Sequence, residues 1–88
     1  MRYKIEILQS AQKQLSKIQH HQQNQIIENI RKLSENPRPT GCKKLSARPA
    51  WRIRIGDYRV IYEINDERIL VLVITIGHRK EAYRRSSP

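Results

Sequence analysis

The chain carries one cysteine, three glycines and eight acidic residues among 88, and each scarcity excludes something. A lone cysteine, Cys42, cannot close an internal disulfide, which fits a reducing, cytoplasmic setting. Gly41, Gly56 and Gly77 are too dispersed for a phosphate-cradling loop. The acids form no cluster suited to Mg²⁺, and His20 and His21, being adjacent, leave a helix on different sides. No metal and no cofactor is therefore expected. Mean hydropathy is −0.76 and no apolar run approaches about 20 residues, so no membrane association is expected. The opening Met1-Arg2-Tyr3-Lys4-Ile5-Glu6 lacks the apolar core of a secretion signal. Internal repeats and low-complexity segments are absent.

What is present in excess is positive charge. Eighteen Lys and Arg give a net charge of +10 and a pI near 10.4. A chain of this length buries one core, and a single domain over residues 1–88 is expected, with a frayed tail from about 84. A compact domain so charged seeks polyanions, nucleic acid first among them.

Hydrophobic period divides the chain. Tyr3, Ile5 and Ile7 alternate with Lys4 and Glu6, the pattern of a half-buried strand. Ser10 fits a helix N-cap, and Ala11, Leu15 and Ile18 then recur at helical spacing. His20 to Asn24 interrupts this stripe, which resumes at Ile26, Ile27, Ile30 and Leu33 and ends before Asn36-Pro37. Two amphipathic helices are expected between about 10 and 35. Residues 37–49 hold three of the four prolines and Gly41 and read as loop. Trp51, Ile53 and Ile55 alternate with Arg52 and Arg54. Gly56-Asp57 signals a tight turn, and Tyr58 to Ile64 forms the next strand. After a turn at 65–67, Ile69 to Ile76 is nearly unbroken Ile, Leu and Val, the composition of a strand covered on both faces. The order strand, two helices, three-stranded meander predicts an α+β fold with a small, mostly antiparallel sheet and a helical hairpin on one face.

The charge is concentrated. Between Arg38 and Arg59 stand seven Lys and Arg against one acid, Asp57, a net +6 of the total +10. Arg52 and Arg54 share one face of a strand, and Arg59 lies across the following turn. Lys43, Lys44 and Lys80 extend the basic surface, and Tyr58 and Tyr83 offer rings for base stacking. Arginine presents a planar fork matched to phosphate oxygens. Any chemistry here falls to Arg, Tyr, Lys or His78.

Two segments taken together resemble the RelE toxins of bacterial and archaeal toxin–antitoxin systems. They are Arg52-Ile53-Arg54-Ile55-Gly56-Asp57-Tyr58-Arg59 and Gly77-His78-Arg79-Lys80-Glu81-Ala82-Tyr83, and the likeness runs essentially end to end. The resemblance implies a RelE-like α+β fold and a ribosome-dependent endoribonuclease that cuts mRNA in the A-site codon. Attack by the RNA's own 2′-hydroxyl would leave a 2′,3′-cyclic phosphate without a metal. By position, Arg59 binds the phosphate in the transition state, Arg79 assists the leaving 5′-oxygen and Tyr83 orients the base. Arg52 and Arg54 occupy the places of a basic RNA-binding pair. Arginine is a poor general base, so that role stays open, with His78 a candidate because imidazole titrates near neutral pH. The implied partners are a RelB-like antitoxin, the ribosome and mRNA, with promoter DNA bound only through the antitoxin complex. Two alternatives remain: a ParE-like toxin that binds DNA gyrase without catalysis, and a basic nucleic-acid-binding module.

Overall fold

The computed structural model describes residues 2–46 and 48–78. In chain order the elements are β1 (Lys4–Ile7), α1 (Gln9–Ser16), α2 (His20–Lys32), β2 (Lys43–Lys44), β3 (Ala50–Ile55), β4 (Tyr58–Asn65) and β5 (Leu70–His78). The five strands form one sheet in the order β1-β5-β4-β3-β2. β1 lies parallel to β5, and the remaining pairs are antiparallel. The α+β architecture expected from the sequence is the one found. No helix among the described residues is long and apolar enough to cross a membrane.

The helices cover one face of the sheet. Ala11, Ile26, Ile30 and Leu33 pack in one core with Ile53, Val60, Tyr62, Val71, Val73 and Ile76, with Leu15 and Ile18 at its margin. Alternation along each strand supplies that set. Its partners across the strands, Ile53↔Val60 and Val60↔Ile76, stay on the covered side. A bulge between Ile61 and Tyr62 leaves Ile74 of β5 without a register partner and keeps Tyr62 opposite Val73, so both segments of β5 present their apolar residues to the helices. Near this bulge the Gln14 side chain of α1 accepts a hydrogen bond from the Ile76 amide at 2.9 Å. The Tyr62 hydroxyl, fully buried, donates to the Pro37 carbonyl at 2.8 Å. Burial, followed by the nearby Cys42, pushes the Tyr62 phenol well above the ordinary tyrosine range.

Three local readings need correction. Ser10 does not cap α1: the helix begins at Gln9 after Leu8, with no side-chain cap bond. The Gln12 side chain instead donates to the Ile7 carbonyl at 2.8 Å and ties the helix start to β1. His20 to Asn24, which interrupts the apolar stripe as read, lies within helix and forms the opening turns of α2, since a polar run marks a solvent-facing surface and does not forbid helix. The break between α1 and α2 falls at 17–19. Residues 43–44, expected as loop, pair with Trp51 and Arg52 as β2. Lastly, β5 has strands on both sides but is not buried on both faces, since Leu70, Leu72 and Ile74 remain half-exposed among the described residues. The Gly56-Asp57 turn joins β3 to β4 as read, and Gly56 supplies the positive φ of +59° that a two-residue hairpin turn requires.

Candidate nucleic-acid interface

Register decides which side chains share the face the helices leave open. Cross-strand partners point the same way, and neighbours along a strand alternate. Since Val60 and Tyr62 belong to the covered core, Arg59, Ile61, Glu63 and Asn65 of β4 belong to the open face. On β3, Arg54 stands opposite Arg59 and Arg52 opposite Ile61. On β2, Lys43 stands opposite Arg52. On β5, Gly77 lies beside Arg59, Thr75 beside Ile61 and Leu72 beside Glu63.

Four cations thus gather on adjacent strands as two directly opposed pairs, Lys43–Arg52 and Arg54–Arg59. Like charges placed opposite each other repel across a sheet, and a polyanion lying over them would offset that repulsion. Exposure is graded within the cluster. Lys43 and Arg54 are exposed, Arg52 is half-buried, and Arg59 retains only 7% of its surface. Its direct register neighbour on β5 is Gly77, itself buried. A guanidinium stays charged at any working pH. Three such guanidinium groups and the Lys43 ammonium can bind phosphate oxygens and stabilise charge that grows on them.

Other candidates lie elsewhere. Lys44 is paired with Trp51, so it shares the covered side. Tyr58 and His78 are register partners on that same side and meet edge-on, with ring centroids 5.6 Å apart. The open-face cations therefore have neither ring beside them. Arg79, Lys80 and Tyr83, with the tail from 84, lie outside the described residues.

Arg38, the first cation of the basic stretch, is engaged in a different task. Its guanidinium meets Asp66 through Nη2–Oδ2 at 2.9 Å and Nη1–Oδ1 at 3.4 Å, and stacks over Trp51 at 5.3 Å. The Tyr3 hydroxyl donates to the same carboxylate at 2.7 Å. This clasp joins the β1 entrance, the loop after α2 and the β4–β5 turn. Hydrogen bonds from Arg38 and then Tyr3 hold the Asp66 carboxyl below its ordinary range, and the carboxylate raises the Tyr3 phenol in return.

With the geometry in place, comparison with known proteins supplies the family. The model for the ParE toxin of type II toxin–antitoxin systems matches residues 5–83. The chain belongs to the RelE/ParE toxin family. The toxin is 25% identical over 84 residues to the mRNA interferase toxin RelE of Escherichia coli, covering 93% of this chain and 88% of that one. It is similar to the structure of the archaeal RelE–RelB complex from Pyrococcus horikoshii, with TM-score 0.81 and 26% identity over 90% of this chain and 97% of that one. An E. coli RelE variant with two arginines replaced by alanine, in the free state, shares the fold at TM-score 0.82 and 24% identity, over 98% of this chain and 93% of that one.

Several residues of the toxin's open face were not singled out by sequence reasoning. Ile61 and Thr75 floor the cluster, Gly77 stands beside Arg59, and Glu63 and Glu6 border it. Period-two alternation counted outward from Arg59 would have found Ile61 and Glu63. Thr75, Gly77 and Glu6 required the strand pairing.

Proposed function

We propose that this toxin is an endoribonuclease that cuts mRNA in the decoding A site of the ribosome. The supporting observation is the pairing of Lys43–Arg52 and Arg54–Arg59 around one nearly buried guanidinium on the open face. In this reading the RNA's 2′-oxygen loses its proton to a base and attacks the adjacent phosphorus. The bond to the 5′-oxygen breaks, that oxygen takes a proton, and a 2′,3′-cyclic phosphate remains. Arg59 neutralises the charge that accumulates on the phosphorane, which is where a preorganised cation lowers the barrier most. Arg52, Arg54 and Lys43 hold the flanking phosphates. Arg79 and Tyr83 are assigned to the leaving oxygen and the base on the strength of the Gly77-His78-Arg79-Lys80-Glu81-Ala82-Tyr83 segment. His78 can serve as base only to RNA that passes around the end of β5. The ribosome supplies the in-line geometry that an open sheet face does not enforce.

A RelB-like antitoxin is the proposed partner, by analogy with the RelE–RelB complex of Pyrococcus horikoshii, and promoter DNA is reached only through it. The test is a cleavage assay with ribosomes carrying mRNA and an empty A site, and the same mRNA alone. Cuts within the A-site codon that need ribosomes, and that fall about 10²–10³-fold with Arg59→Ala, support the reading. Intact mRNA in both reactions from folded, toxic protein overturns it. The match to the ParE family model supports a second reading, inhibition of DNA gyrase by binding, which a supercoiling assay on the same preparation separates.

A further inference from the structure

The open face changes sign along its strands. The row Gly77–Arg59–Arg54 and the next, Thr75–Ile61–Arg52–Lys43, hold four cations and no acid. The row after that is Glu6–Leu72–Glu63–Ala50. It carries two of the chain's eight acids, one on each side of Leu72. Beyond it, Glu63 and Glu67 line an open depression with Leu70 and Leu72. From Arg59 to Glu63 along β4 is four residues, about 13 Å at the strand rise. Lys4 sits 3.6 Å from Glu6 and offsets part of its charge, although an exposed pair of this kind is weak. Glu63 has no cation as a direct register partner, since it faces Ala50 and Leu72.

We propose that Glu6 and Glu63 form an anionic stop that ends the RNA path on the open face. RNA is thereby confined to the short stretch above Lys43, Arg52, Arg54 and Arg59. The inference rests on the RNA reading above and adds where along the sheet the substrate is allowed to lie. A strand continuing along β4 past Ile61 brings phosphates over the acidic row, where repulsion cancels what further contact would gain. Among the described residues the face thus engages only the few phosphates that lie over these two rows. That limit favours a single codon-sized segment over long free RNA.

The experiment measures binding of oligouridylates of 4, 8 and 12 nucleotides by fluorescence anisotropy at several salt concentrations. Wild-type affinity is expected to level off near the shortest oligomer. For Glu6→Gln/Glu63→Gln it should keep rising with length, with the 12-mer bound about three- to tenfold tighter and the 4-mer changed less than about twofold. Glu28→Gln/Glu35→Gln makes the same change in net charge on exposed residues of α2 and the turn after it, and is expected to show no length dependence. Equal gains for both oligomers, or equal behaviour of the two double variants, overturn the stop. Loss of antitoxin binding with RNA binding unchanged also overturns it and assigns the acids to a protein interface. Absence of binding to any oligomer at low salt overturns the RNA reading itself. If the double variant does not fold, the exposed Glu6→Gln alone carries the test, with an expected gain of about twofold on the 12-mer.

Discussion

Arg54 and Asp66 show how one side chain can be set against the fold or for it. Arg54 stands opposite Arg59 on the open face, so its charge works against the sheet. Arg54→Gln is expected to raise stability by roughly 0.2–0.5 kcal/mol while weakening RNA binding and lowering the salt slope by about one; denaturant melts and salt titrations check the two arms together. Asp66 has the opposite character. Its carboxyl is held low by Arg38 and Tyr3, so its folded-state pKa lies below the unfolded value. The stabilisation from the clasp is then fully present above the ordinary carboxylate pKa of 3.8 and disappears as pH falls through the lower folded value. Wild type and Asp66→Asn should accordingly differ in melting temperature at neutral pH and converge in acid. A difference that persists unchanged at low pH would mean the clasp acts through packing alone.

At the scale of elements, two of the side-chain bonds that hold helices and loops to the sheet are buried or half-buried. Gln14 of α1 satisfies the amide of Ile76, whose side chain is fully buried. Gln14→Ala leaves that donor without its partner and is expected to cost about 1–3 kcal/mol, measured by chemical denaturation. Tyr62→Phe removes the bond to the Pro37 carbonyl while keeping the ring, and a loss of about 1 kcal/mol follows. Neither position touches the open face, so neither substitution should alter the salt dependence of RNA binding. Ile69, with φ of +54° in the turn before β5, is unusual for a β-branched residue. Its carbonyl accepts the Lys4 amide at 2.8 Å and anchors the parallel β1 strand.

For the whole molecule, the +10 charge is less informative than its division among faces. Of the seven cations between Arg38 and Arg59, four share the open face, Lys44 lies on the covered side and Arg38 is tied to Asp66. Four phosphate contacts to single-stranded RNA predict a slope of about −3 in log affinity against log salt. A slope near −7 would show that the total charge, and not this cluster, governs binding.

The sequence by itself determined the α+β order, the half-buried alternation of β3 and β4, the Gly56-Asp57 turn and the concentration of cations between Arg38 and Arg59. Each is a local pattern: periodicity, propensity and turn chemistry act over a few residues, and these residues record them directly. Only the tertiary structure decided that β1 joins β5 in parallel, that residues 43–44 form a strand, and that a bulge shifts the β4–β5 register. Those choices depend on which distant segment completes the hydrogen bonding. They also sort the candidate site, bringing Lys43, Arg52, Arg54 and Arg59 together while turning Tyr58 and His78 to the other side. A strand pattern states that side chains alternate, but pairing alone settles which alternate set faces the helices and which is left to meet a ligand.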